Sequence, residues 1–267
     1  MNGIVDRTLL KRNFLKEIVM RLDFQGVLQA EMEKILIEAK PYLKKQSFNR
    51  YEEKISNHAL FNNEMIKEAT SQIIYSFYAD DLGYSIELST TSIILTANKT
   101  TYTPFEKYAT IFTVISKIYI DKIDFLTLKR FGLRKINFCF IKKSEDIIKY
   151  FKESHYGINE IVSGFETENT ARVLQLRNGF QNLNLNYQIQ HGVLDKEVYY
   201  KVVFDADIYL TDEKNINTIL VSVDQMSPIN TVLFNAYCNA LTDEFLAILS
   251  SENDELPEGM LGVEENE

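Results

Sequence analysis

From Asn182 to Val193 polar and apolar residues alternate without a break. Leu183, Leu185, Tyr187, Ile189, His191 and Val193 fall on one side, and Asn182, Asn184, Asn186, Gln188 and Gln190 on the other. A period of two belongs to a β-strand, and a strand apolar on one side only belongs to an antiparallel sheet with one face on a core and the other in water. The next run, Tyr199 to Leu210, returns through Leu194-Asp195-Lys196-Glu197 and repeats the pattern with Val202, Phe204, Ala206, Ile208 and Leu210. A fold for this chain must therefore cover one face of an antiparallel sheet.

Other segments supply the sheet and its cover. Phe14, Ile18, Met20, Leu22 and Phe24 share one parity with Lys16 as the exception, which predicts a first strand over 14–24. Leu28, Met32, Ile35, Leu36 and Ala39 recur at helical spacing, and Pro41 is expected to end that helix. After a weaker strand signal from Phe48 to Ile55, Ala69, Ser71, Ile73, Tyr75 and Phe77 line a strand running to an Asp80-Asp81-Leu82-Gly83 turn. Tyr84 to Leu88 and Ile93 to Ala97 complete a meander. Thr103-Pro104-Phe105-Glu106 reads as a capping box opening a helix with Phe105, Tyr108, Phe112, Ile115 and Tyr119 on one stripe.

The second half is read the same way: a strand from Phe125 to Ile141, a short helix over 144–151, and a polar connection from Glu153 to Asn169. The two alternating strands follow, then a third at 217–223, and a helix opened by Ser227-Pro228 and running to about Leu249. The two helix starts, Thr103-Pro104 and Ser227-Pro228, lie 124 residues apart and the leading strands 111 apart. The expected fold is thus α+β and two-layered, with antiparallel sheets each covered by a long helix, in two β-α-β-β-β-α halves. Boundaries fall at 1–121, 122–250 and an acidic, disordered tail at 251–267.

Charge is unevenly spread. The net charge is −9, but residues 252–267 alone carry −7, whereas 120–152 holds nine Lys or Arg against four acids. A basic middle of this size admits nucleic acid as a partner, through Lys129, Arg130, Arg134, Lys135, Lys142 and Lys143. No apolar run reaches the roughly 18 residues of a membrane-spanning helix, and the opening residues lack a secretory signal, so a cytoplasmic protein is expected. Cys139 and Cys238 form no CxxC motif, and both are read as reduced structural thiols.

Candidates for chemistry are few. Asp205 and Asp207 stand two apart on the polar side of a strand, as a metal-dependent nuclease requires, although a wet sheet face demands such residues anyway. Asp80-Asp81 fits turn chemistry, and Glu166 and Glu168 lie in a loop with no base nearby. His58, His155 and His191 have no partner at ligand spacing. No cofactor-binding motif is present, and an enzyme of a common class is not expected. The amide face of Asn182, Asn184, Asn186, Gln188 and Gln190 is a solvated surface or a face that receives another polypeptide.

In the stretch Thr127 to Ile141, Leu126, Leu128, Arg130, Gly132, Arg134, Ile136, Phe138 and Phe140 share one parity, which puts both arginines with the apolar side unless Gly132 marks a bulge. A buried arginine needs a partner, and Glu106 is the candidate for Arg134. A helix beginning Phe105-Glu106 and running through Ile111-Phe112 to Ile118 precedes a strand carrying Arg130, Gly132, Leu133, Arg134, Ile136 and Asn137. This Arg-x-Gly-Leu-Arg-x-Ile-Asn pattern resembles a sporadically distributed prokaryotic family of uncharacterised proteins of about this length. The hairpin from Tyr84 to Leu95 followed by Tyr102, and the Leu-Thr-Asp-Glu-Phe of 241–245, look like it too. Lys135 departs from the pattern, where an aromatic is usual, and the chain has no tryptophan. The resemblance implies a fold similar to a duplicated SecB-type chaperone unit. The function it implies is a non-enzymatic, chaperone- or adaptor-like module that binds polypeptide, in a toxin-antitoxin or phage-defence locus, with a homodimer as the expected state.

Overall fold

The computed structural model describes residues 10–12, 14–62, 65–98, 104–157, 169–194, 197–252 and 255–261, side chains excepted at 57–62, 65–70 and 194. The first half runs β1 (Leu15–Gln25), α1 (Met32–Lys45), β2 (Arg50–Asn62), β3 (Met65–Ala79), β4 (Tyr84–Leu88), β5 (Ser92–Ala97) and α2 (Phe105–Lys122). The second runs β6 (Thr127–Ile141), α3 (Ser144–Tyr150), α4 (Glu153–Tyr156), β7 (Asn169–Asn178), β8 (Gln181–Leu194) and β9 (Glu197–Leu210). It closes with α5 (Glu213–Leu220), α6 (Val223–Ala240), α7 (Asp243–Ser250) and β10 (Met260–Leu261).

The fold is α+β, and its strands make one sheet where separate sheets were expected. The order is β2-β3-β4-β5-β1-β6-β9-β8-β7, every named pair is antiparallel, and β10 adds beside β6. The two halves meet where β1 pairs with β6, Met20 opposite Leu133. Each half departs from its leading strand and returns to it, with β5 beside β1 and β9 beside β6.

Apolar rows decide which face is covered. Ile18, Met20, Leu22 and Phe24 of β1 are buried, as are Phe131, Leu133, Cys139 and Ile141 of β6 and alternate residues 202–210 of β9. On them lie Phe112 and Tyr119 of α2, Tyr237 of α6 and Phe245 of α7, joined by ring contacts Phe24–Tyr119, Phe112–Phe131, Phe204–Tyr237 and Phe14–Phe245. The expected α2 stripe of Phe105, Tyr108, Phe112, Ile115 and Tyr119 is buried throughout. Its Thr103 cap lies outside the described residues.

Several segments depart from the sequence expectation for identifiable reasons. Residues 213–220 are helical, not the strand expected at 217–223. The Asp212 carboxylate accepts from the backbone N–H of Asn215 at 2.9 Å, and Ile216, Ile219 and Leu220 bury a helical i, i+3, i+4 set. Ser227-Pro228 does not open α6, which begins at Val223. Pro41 likewise lies inside α1; the carbonyl it cannot serve belongs to Ile37, whose side of the helix faces solvent. The third strand is instead β7, which begins where the expected connection ends, at Asn169. The acidic end also differs over 255–261: Met260 is buried, β10 pairs with Ile141 and Phe140, and Arg12 donates to the Glu255 carbonyl at 2.9 Å.

Phe245 shows how the helical layer is keyed to the sheet, because its ring meets Phe14, Tyr150 and Phe151 and is fully enclosed. Phe245→Ala is expected to cost about 3–5 kcal/mol, the range for deleting a buried aromatic. Urea denaturation of the two proteins measures this.

Candidate functional site

The sheet face away from these helices carries most of the polar candidates, and a bulge in β6 puts them there. Asp23 pairs with Arg130 but Phe24 pairs with Leu128, so Lys129 is an extra residue and parity reverses across it. The Leu128 N–H at this irregularity donates to the Glu213 carboxylate at 3.0 Å. Leu128 therefore faces the core, while Arg130, Gly132, Arg134, Ile136, Phe138 and Phe140 face the open side. The irregularity lies at Lys129 and not at Gly132, so the expected alignment of both arginines with the apolar side does not hold. Leu133 and Asn137, with Lys135, point under the helices instead; Lys135 donates to Oδ1 of the buried Asn230 at 2.5 Å.

On the open face the arginines meet carboxylates of β9. Arg134 is gripped by Asp205 in two parallel bonds, Nε to Oδ1 and Nη2 to Oδ2, both at 2.7 Å. Glu106 is exposed at the start of α2 and is not its partner. Arg130 donates to Asp207 at 2.8 Å, lies 4.0 Å from Asp23 of β1 and stacks over Tyr209 at 4.9 Å. Its guanidinium folds back along its own strand to do so. A Cβ added at residue 132 would stand 2.9 Å from Arg130 Nη1, so glycine is the residue that leaves room. The Arg-x-Gly-x-Arg spacing is thereby explained as two arginines on one face with a gap between them.

Asp207 is held above the usual carboxylate range, chiefly by burial and also by the charge of Asp205, while Arg130 and Arg134 pull it down. Each of the two aspartates of the nuclease reading thus sits against its own arginine, and no group of three or more His, Cys, Asp or Glu placed to hold a metal occurs among the described residues. Elsewhere in the basic middle, Lys142 faces Glu197 at 2.6 Å, Lys149 faces Glu244 at 3.4 Å and Lys122 faces Glu38.

The amide row lies next to this network. Asn182, Asn184, Asn186, Gln188 and Gln190 stand opposite Tyr209, Asp207, Asp205, Val203 and Lys201 of β9. Towards the edge they stand opposite Arg177, Gln175, Val173, Ala171 and Asn169 of β7. All but Gln190 are half-buried. The apolar side of β8 is covered only as far as Ile189; His191 is exposed, and Val193 is 72% exposed.

Beyond the amides the sheet ends at β7, which the sequence reading missed. Nothing described pairs with its outer side, and neither face is fully covered. Val173 is 60% exposed and Leu176 48%, on opposite faces, and Phe180 just past the strand is 46% exposed. Runs of this kind lack the alternation that marks a half-buried strand, which is why only a cluster of Val173, Leu174 and Leu176 could have signalled it. At the start of β7 an open cleft of about 560 Å³ is lined by Glu153, Ser154, His155, Tyr156, Arg172 and Tyr187, among others. The His155 ring packs edge-on against Tyr187 at 4.9 Å, and Ser154 Oγ lies 2.8 Å from its Nδ1. Burial, then Arg172 and Lys152, lower the His155 pKa. Among the described residues His155 makes no ion pair with a carboxylate that would orient it as a base.

The opposite edge, β2, is protected over its first residues. Arg50 bonds Asp80 at 3.0 and 3.1 Å and also Glu52, and Lys54 lies 3.8 Å from Glu52, so its charges are paired along the strand. Asp80, expected as turn chemistry, has this role as well. Ile55 is left 72% exposed there. The side chain of His58, and Glu166 and Glu168, lie outside the described residues. Cys139 and Cys238 are buried and in no disulfide. No described helix is long and apolar enough to cross a membrane.

No family model and no curated protein matches the chain. Among solved structures it is similar to the S. pombe Pct1 RNA triphosphatase in complex with the Spt5 CTD, at 4% identity over 86% of this chain and 85% of that one, with a TM-score of 0.17. It is also similar to the di-domain ARO/CYC StfQ from the steffimycin biosynthetic pathway, at 6% identity over 88% and 96%, with a TM-score of 0.16. Scores this low carry no argument about fold or function.

Two measurements test the open-face network. Arg130→Ala is expected to cost on the order of 1 kcal/mol, the scale of a partly exposed ion pair. Gly132→Ala, which displaces the same guanidinium, should cost about as much alone and almost nothing in the Arg130→Ala background, a non-additivity read by a double-mutant cycle. For pH, a carboxylate whose folded pKa is raised binds more protons folded than unfolded. Stability from Asp207 is thus greatest in acid and falls as pH rises from its ordinary value of 3.8 into the raised range. Comparing denaturation of wild type and Asp207→Asn across that window should isolate this fall.

Proposed function

We propose that the protein is a non-enzymatic polypeptide-binding module that receives an extended segment at the open β7 edge. The observation that carries this reading is β7 itself: a ten-residue strand at the end of the sheet with apolar side chains exposed on both faces. An added strand would find backbone donors and acceptors along that edge and apolar positions above and below the sheet, which is how β-strand addition divides affinity from specificity. Natural edges are normally blunted, as β2 is here by paired charges, so an edge with apolar side chains exposed on both faces fits a docking surface better than a structural end.

The same reading favours a duplicated SecB-type unit. In support, each half leaves a central strand through helices, builds an antiparallel meander, returns its last strand beside the first and ends in helix. A chaperone- or adaptor-like role in the cytoplasm, in a toxin-antitoxin or phage-defence setting, follows from the resemblance of the Arg130–Asn137 segment.

Removing the apolar side chains with Val173→Ser and Leu176→Ser in one protein should leave folding intact and weaken binding about tenfold or more, given roughly 1.5–3 kcal/mol for each apolar side chain fully buried. Suppression of light scattering by an unfolded client measures this. Equal suppression by both proteins, or none by wild type, would count against the reading.

A further inference from the structure

Resting on the reading above, we infer that the segment received at β7 is acidic: an extended strand with two carboxylates spaced to meet Arg172 and Arg177, and apolar residues between them. The charge of the edge is the first observation. β7 reads Asn-Thr-Ala-Arg-Val-Leu-Gln-Leu-Arg-Asn and contains two arginines and no acid, in a protein of net charge −9. Arg172 is held by the Ser154 carbonyl and Arg177 by the Gly179 carbonyl at 3.2 Å, and among the described residues neither faces a carboxylate. Every arginine of the neighbouring open-face network has one. The two edge guanidiniums are fixed by neutral acceptors and keep their charge for a partner.

The cleft at the start of β7 is the second observation. Arg172 and Tyr187 stand opposite each other across β7 and β8, and both line it, on the helix side of the sheet. A strand added outside β7 presents alternate side chains to that side, so one of them enters the cleft beside Arg172. Arg172 supplies the cation an entering carboxylate would meet there, and Glu153 also lines the cleft.

Alternation then gives the pattern of the ligand. In antiparallel addition, a residue opposite Arg177 lies on the open face and is acidic. The next, opposite Leu176, is apolar, and the one after, opposite Gln175, is unrestricted. Residues opposite Leu174 and Val173 are apolar on the two faces, and the one opposite Arg172 is acidic and enters the cleft. The motif is acid-apolar-any-apolar-apolar-acid. A second copy of β7 does not supply it, having arginine where the acids are required.

The test uses the full chain and two fluorescent peptides, Glu-Val-Thr-Val-Val-Glu and Lys-Val-Thr-Val-Val-Lys, each flanked by Ser-Gly, titrated by anisotropy at low and physiological salt. The acidic peptide should bind more tightly by about 25-fold, roughly fivefold for each exposed charge pair, and the margin should narrow with salt. Arg172→Glu and Arg177→Glu should each weaken it about fivefold, and the protein with both changes should prefer the lysine peptide. Equal binding of the two peptides would overturn the acidic preference and leave strand addition standing. If neither binds while the Val173→Ser, Leu176→Ser protein still loses client suppression, the ligand pattern is wrong and the edge is right. If neither binds and client suppression is also absent, both readings fail. A dimer in sedimentation equilibrium that dissociates on Leu176→Ser and excludes both peptides would assign the edge to a second copy and overturn the proposal.

Discussion

Neither half of the chain closes its own sheet. β1 has β5 on one side and needs a neighbour on the other, and β6 has β9 on one side and needs the same, so the pairing of Met20 with Leu133 and its neighbours joins two open edges. On the helix side this seam is buried under Phe112, Tyr119 and Phe245. On the open side no hydrophobic layer of described residues covers it, and Arg130 spans it, between Asp23 of β1 and Asp207 of β9. A partly exposed ion pair adds little stability by itself. What it adds is register: slipping β6 by one residue would turn both arginines under the helices and away from Asp205 and Asp207.

The same seam explains why the functional candidate lies far from the motif. Arg130 and Arg134 are matched by Asp207 and Asp205 of β9, so the two arginines of the motif are already engaged. The amide row of β8 then separates the ionic lane from the edge. Asn184 and Asn186 stand opposite Asp207 and Asp205 without adding charge of either sign. A lysine in that row would compete for the aspartates of β9 and loosen the arginines; a glutamate would neutralise the edge. Neutral amides let the latch and the edge carry different charge within two strands of each other.

Much of this was legible in the chain. Rows such as Ile18-Met20-Leu22-Phe24 and Leu185-Tyr187-Ile189 announce their strands because one face is buried along their length, and burial is what alternation records. Where burial stops, so does the signal: β7 shows no period since neither face is enclosed. The α5 segment was misread for a related reason, its eight residues being too few to display a helical period against a strand-like Ile219-Val221-Val223 set; the deciding feature was the Asp212 cap. At β6 a single bulged residue, Lys129, reversed the face of everything after it. The arginines' true partners, Asp205 and Asp207, lie more than 70 residues downstream and are set by strand order, which no local pattern encodes.

The contrast between the two edges is the last step. β2 and β7 are each the end of a ten-stranded sheet and face the same hazard of pairing with stray strands. β2 answers it with Arg50, Glu52, Lys54 and Asp80, linked to one another so that an incoming strand would have to break those pairs. β7 has two arginines with no acid between them, set about Val173, Leu174 and Leu176. Such an edge repels a basic strand and a copy of itself while leaving an acidic one unopposed. Protection by a single sign of charge is selective where protection by paired charges is general. An edge that needed only to stay unpaired would be served as β2 is.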